Sequence, residues 1–371
     1  MRRRRPPLAE DALARVVLDR YLSLRRGETV TIESWSHALP WARAFVVEAR
    51  RRGALPTLVL EDESAFFRSL EWGGSLALRG TPRPALERGG AHVYLGGPEE
   101  FPRLLGLPSN DLESLLNRHD RAWWQAARRN RTRAVRLGIA DATFPAATRY
   151  GVDLEAWQTE LVRASLVDPR RLEGSGRKLL RGLARGRRFR IRHANGTDLE
   201  LRRGSAPAVV ESGRPNPASG VVWGRVPSGL LVVPLRAGAG DGSWEGNRPA
   251  YDRFALPSVT TGGRFQFRAG RLVEFAFDRG GERFAAAYAR AGPGRERPVA
   301  LTVGLNPAIS HAPEVPELGV GTVGLLVGDS PYLRGTRATR FSFLTVLSGA
   351  DVEVDGRPWL VGGLPAAPRR R

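Results

Sequence analysis

The run Thr29-Val30-Thr31-Ile32-Glu33 is short and β-branched, and Pro40-Trp41-Ala42-Arg43-Ala44-Phe45-Val46-Val47-Glu48-Ala49-Arg50-Arg51-Arg52-Gly53 follows it. Proline suits the first turn of a helix, where its missing N–H would have no intrahelical partner. Glycine suits the position just past the end, where the chain turns into the left-handed region. Thr57-Leu58-Val59-Leu60 then returns as a second strand. Strand, helix and strand over about thirty residues predict a right-handed βαβ unit with parallel strands.

The same reading extends outward. Upstream, Leu13, Val16, Val17, Tyr21 and Leu24 recur along one helical face, and Arg26-Gly27-Glu28 ends it. Downstream, His92–Leu95 and Val135–Ile139 read as strands, with helical stretches around Leu112–Leu116 and Ala122–Arg128. Val152–Leu166 is a further helix, broken at Asp168-Pro169. Beyond it the period changes. Phe189–His193 and Asp198–Arg202 flank Asn195-Gly196, a hairpin signal. Val221–Trp223, Leu230–Leu235, Arg264–Phe267, Leu272–Phe277, Val299–Val303, Val323–Val327 and Phe341–Leu347 read as strands, and only Glu282–Arg290 reads as helix. The expected fold is an α/β N-terminal domain over residues 1–180, followed by a β-rich α+β C-terminal domain over residues 181–371. A chain of 371 residues suits two such domains.

Composition removes several classes of function. No apolar run reaches the ~18–20 residues of a membrane helix. With zero cysteines, disulfides, thiolate catalysis, zinc knuckles and iron–sulfur clusters are excluded. The charge of +20 attracts polyanions, but Lys178 is the only lysine, so the arginine excess reads as coding bias rather than as a site. In the basic stretch Arg170–Arg192 the only aromatic residue is Phe189, which weighs against nucleic acid as a partner. The opening arginines run into Pro6, Pro7, Glu10 and Asp11 instead of an apolar core, so a cytoplasmic location is expected.

Three motifs need weighing. Gly319-Val320-Gly321-Thr322-Val323-Gly324 has the spacing of a dinucleotide fingerprint, but Pro313 and Pro316 precede it and a strand follows, so it reads as a turn. Trp123 and Trp124 diverge by about 100° on a helix, which predicts core packing or a subunit contact rather than a stacking platform. His311, Glu314, Glu317, Asp329 and Tyr332 fall close in sequence, a set able to hold a metal or polarise water. The plainer reading is a proline-rich loop with solvated charges.

Taken in order, several segments resemble the aminopeptidase T-like metallopeptidases, peptidase family M29, whose wider relatives include a ring-cleaving dihydroxypyridine dioxygenase. They are Leu13–Val16 through Val30, Val46–Ala54, Gly151–Glu155 with Arg163–Pro169, Gly196–Leu199, Gly304–Pro307, Glu317–Thr322 and Val354–Gly356. The resemblance implies a two-metal aminopeptidase, yet the implied ligand positions have changed. Val221 stands where the family places a Glu after Gly in a Gly-Glu-Val-Phe strand, Ala300 at a second Glu, and Gly324 at a His. Ser342 and Leu344 stand at a His-x-Asp pair, Glu317 alone keeps a ligand-type side chain, and Tyr332 is one position from the family's active-site Tyr.

A dimetal centre needs several anionic or imidazole ligands. The expectation is therefore a divergent, non-catalytic homologue with no bound cofactor, retaining a cleft between the domains for a peptide or small-molecule ligand; the resemblance also implies a homodimer. The alternative is an active metallo-aminopeptidase, or another hydrolase or lyase. It would use His311 and Tyr332 as catalytic groups, with Glu317 and Asp329 on a divalent metal of the zinc, cobalt or magnesium class. A third reading, polyanion binding, requires Arg170–Arg192 to be spared acidic neighbours.

Overall fold

The computed structural model describes residues 9–73, 84–99, 123–183, 186–248, 250–251, 259–330, 333, 339 and 341–367. The chain forms two compact units, one of residues 1–169 with 213–228 and the other of residues 170–212 with 229–371.

In the first unit, Leu55–Glu61, Thr29–Trp35, Ala91–Leu95, Arg133–Leu137 and Trp223–Val226 lie side by side in that order, every neighbouring pair parallel. The expected βαβ unit is present. The helix Leu39–Arg51 carries Pro40 in its first turn and ends just before Gly53, which takes a φ of +71°. Its apolar stripe buries Ala42, Phe45 and Ala49, while Val30, Ile32, Val93, Leu95 and Val135 are fully enclosed in the strands. Near-continuous apolar strands are what a parallel sheet with both faces covered requires. The order reverses once. From Thr29–Trp35 the chain moves outward to Leu55–Glu61, then returns to the other side for Ala91–Leu95.

The strand expected at Val221–Trp223 among the later strands is instead Trp223–Val226, and it closes this parallel sheet beside Arg133–Leu137. Gly224 permits it, because a Cβ there would run into the carbonyl oxygen of Gly213. Trp123 and Trp124 pack edge-on to each other, both meet the ring of Trp223, and both pack against Leu86, Ala127 and Val222. This is core packing. The helix expected around Leu112–Leu116 lies outside the described residues. Asp168-Pro169 ends one helix, Leu154–Ser165, and starts another, Pro169–Gly182.

The second unit is built on a large antiparallel sheet. Ser342–Ser348, Thr322–Gly328, Pro298–Gly304, Leu230–Glu245, Asp198–Arg203, Arg188–Arg192 and Asp351–Val354 follow one another across it. The Asn195-Gly196 hairpin forms as expected, with Arg192 opposite Asp198. Leu230–Glu245 is one continuous strand of 16 residues, not the short segment its apolar run suggests. Its first half pairs with Pro298–Gly304 and its second half with Asp198–Arg203 and Arg264–Arg268. Phe265, Phe277, Phe284 and Phe343 form an aromatic cluster with ring centroids 4.6–6.1 Å apart. The basic stretch is not spared acidic neighbours. Arg190 forms a forked pair with Asp198, Arg192 meets Glu353 at 2.6 Å, and Arg177 meets Glu173 at 3.6 Å.

Candidate functional site

The glycine-rich segment around Gly319 is a turn. A short 3-10 helix, Pro316–Leu318, precedes it and the strand Thr322–Gly328 leaves it. Thr322 donates from its hydroxyl toward the carbonyls of Glu317 and Gly319, and Asn306 exchanges backbone hydrogen bonds with Leu318 and Val320. Asn306 Oδ1 also accepts from Ala308 N at 3.0 Å. Glu317 and Asn306 are thus buried within an interlocked pair of loops. His311 lies exposed on the loop that joins them.

Asp329 belongs to the opposite end of the same strand. Both of its oxygens accept from Thr339 N at 3.2 Å, and its own N–H donates to Phe341 at 2.6 Å. At about 3.4 Å per residue the intervening strand sets Glu317 and Asp329 roughly 20 Å apart. The structure therefore brings Glu317 together with Asn306 and Thr322 and leaves Asp329 with Thr339. Tyr332 lies outside the described residues.

The strand register places the remaining positions. Ala300, Leu326 and Leu344 are directly opposite one another across three strands, as are Thr302, Gly324 and Val346. Residues in register, and every second residue along each strand, share one face of the sheet. Ala300, Gly324, Ser342 and Leu344 therefore occupy a common face, and none of the four presents an anionic or imidazole group. The face is also filled. A Cβ added at Gly324 would collide with Thr302 Oγ1 and sit 2.9 Å from Leu344 Cδ1. Val221, in the other unit, is 39% exposed and forms a backbone bridge with Asn216.

Two histidines noted as strand residues have local roles. His92 is enclosed beside Glu33, with Nε2 3.3 Å from the carboxylate, and meets Trp123 edge-on. His193 accepts from Asn195 N in the hairpin turn.

A cluster that no sequence motif marks lies at the carboxyl edge of the parallel sheet. His37 follows the strand Thr29–Trp35, Glu63 opens the helix after Leu55–Glu61, and Glu99 follows Ala91–Leu95. One nitrogen of His37 and one oxygen of each glutamate lie within 4.8 Å of one another. His37 Nε2 is 3.0 Å from the carbonyl of Ala140, just past the fourth strand, and Glu99 N donates to Glu63 Oε2 at 2.9 Å. The signal that finds them is topological. All three follow the ends of adjacent parallel strands, where ligands bind in α/β sheets.

A parallel-sheet unit interrupted by, and followed by, a large antiparallel sheet defines the aminopeptidase T fold. Wild-type AmpT from Thermus thermophilus matches it with a TM-score of 0.72 at 18% identity, covering 97% of this chain and 99% of that one. The 2,5-dihydroxypyridine dioxygenase from Pseudomonas putida KT2440 matches with a TM-score of 0.62 at 16% identity, covering 98% and 99%. At these identities the likeness is one of fold. No family model and no curated protein matches the chain. Among the described residues, no helix is long and apolar enough to cross a membrane.

Proposed function

We propose that this protein keeps the aminopeptidase T fold without dimetal peptidase chemistry and acts by binding a peptide or small molecule. The observation that carries the reading is the shared sheet face of Ala300, Gly324, Ser342 and Leu344. Two dications held about 3.5–4 Å apart need several convergent carboxylates and imidazoles. On this face even a Cβ at 324 meets Thr302 Oγ1 and Leu344 Cδ1, so an imidazole there would require both side chains to shift. The buried carboxylate of Glu317 is the feature that favours the second reading, an active metallo-aminopeptidase.

One assay separates the two. Chelator-stripped protein is resupplied with Zn²⁺, Co²⁺ or Mg²⁺ and incubated with short peptides, and release of the N-terminal residue is followed. The expected result is no release above background under any metal, with reversible peptide or small-molecule binding detectable in a ligand screen. Metal-dependent release that Glu317→Gln abolishes overturns the proposal.

A further inference from the structure

We propose that His37, Glu63 and Glu99 form a site for one divalent transition-metal ion, of the Zn²⁺ or Mn²⁺ class, at the carboxyl edge of the parallel sheet. The site lies wholly within the first unit and does not depend on the reading of the sheet face around Gly324.

The imidazole supplies the first argument. Ala140 offers a carbonyl oxygen, which can only accept, so His37 Nε2 carries the proton of the neutral ring. The lone pair is then on Nδ1. That atom is buried and has no hydrogen-bond partner among the described residues. An unsatisfied buried nitrogen is uncommon and costs free energy unless something fills its lone-pair direction. A ring N–H donated to a carbonyl, with the other nitrogen left bare, is how metal-ligating histidines are oriented.

The carboxylates supply the second. Glu63 and Glu99 bring their oxygens within 4.8 Å of each other and of one ring nitrogen of His37. The Glu99 N–H on Glu63 Oε2 fixes one glutamate to the loop that carries the other, and Thr143 Oγ1 holds that loop by the Glu99 carbonyl at 3.3 Å. Two carboxylates and a neutral imidazole carry a charge of about −2, matched by a dication. Ligands about 2.1 Å from a shared ion stand about 3.4 Å apart in tetrahedral geometry, so the set closes onto an ion by about 1 Å of side-chain movement. One nitrogen and two oxygens suit zinc or manganese, whereas calcium requires six to eight oxygens, about twice the number of protein ligands here.

Topology supplies the third. The ligands follow three adjacent strands, and the strand order reverses between Thr29–Trp35 and Ala91–Leu95, which carry His37 and Glu99 at their ends. A reversal of this kind opens a crevice at the carboxyl ends of the strands. Three protein ligands on a half-open crevice leave a coordination position for water or a further ligand.

The test titrates the full-length, chelator-stripped protein with Zn²⁺ and with Mn²⁺ by equilibrium dialysis. One ion per chain is expected, with affinity weakened about 100-fold in His37→Ala and in Glu99→Gln and unchanged in Glu317→Gln. No bound ion, or binding that both first-unit variants leave intact, overturns the proposal. The unmodified protein provides a readout that does not depend on the variants folding. With only five histidines in the chain, the ¹⁵N resonance of His37 Nδ1 should move on Zn²⁺ addition. Zinc binding that leaves that resonance in place also overturns the proposal. Loss of affinity in Glu317→Gln alone would point instead to the second unit.

Discussion

The sheet face around Gly324 and the crevice around His37 treat polar chemistry in opposite ways. On the face, Ala300, Leu326 and Leu344 are buried, and the backbone of Gly324 is covered by a threonine and a leucine. In the crevice an imidazole and two carboxylates face one another, all partly open to solvent. Strand register alone determines which residues share a face, whereas a handful of side chains decides what that face can do.

Refilling the packed face is expected to have the largest effect. Gly324→His should cost on the order of 4 kcal/mol, and Gly324→Ala about 1–3 kcal/mol, because a Cβ there meets Thr302 Oγ1 and Leu344 Cδ1 closer than van der Waals contact, so both side chains must shift. Urea unfolding measures both, and a loss below about 1 kcal/mol for the histidine variant would show that the face has room for a ligand. Filling the crevice should do the reverse. At a free Zn²⁺ concentration of 100 times Kd the protein should gain about 2.7 kcal/mol, an increment His37→Ala should erase in the same unfolding experiment.

Asp329 sharpens the contrast, since both oxygens of its carboxylate accept from the Thr339 N–H. Asp329→Ala should cost about 2 kcal/mol by stranding the Thr339 N–H, and leave zinc affinity unaltered in a dialysis measurement. The smallest effect is expected at Asp355, which takes part in neither region. The N–H groups of Arg188 and Arg187 hold its carboxyl below the usual range. A pKa depressed in the folded state adds stability above the unfolded value of about 3.9, and that stability is lost as pH falls through the folded pKa. Asp355→Asn should flatten that acid limb slightly, because the group is exposed and solvent screens it. An acid titration of stability comparing the two proteins checks this.

The sequence makes the local pieces legible. Pro40 and Gly53 bracket a helix, Asn195-Gly196 turns a hairpin, and the prolines before Gly319 mark a turn where the glycine spacing alone suggests a nucleotide loop. Long-range pairing is less legible. Trp223–Val226 looks like any short strand, and its partner Arg133–Leu137 lies far upstream. Leu230–Glu245 is interrupted by Pro234, Gly238, Gly240 and Gly242, which hide a continuous strand. The positions Ala300, Gly324 and Leu344 are singled out one by one through the resemblance, but their common face follows from register. His37, Glu63 and Glu99 belong to no spaced motif. They are separated by whole strand–helix units, and only the sheet order brings them together.

The late arrival of Trp223–Val226 also sets a timetable. As the chain leaves the ribosome, the first four strands of the parallel sheet are complete by Leu137, yet the fifth is not made until Val226. Meanwhile Arg133–Leu137 presents an unpaired edge, a template for any other extended segment nearby. Residues 170–212, which belong to the second unit, emerge during that interval. A nascent chain stalled in this window carries that edge unpaired and is exposed to wrong pairing.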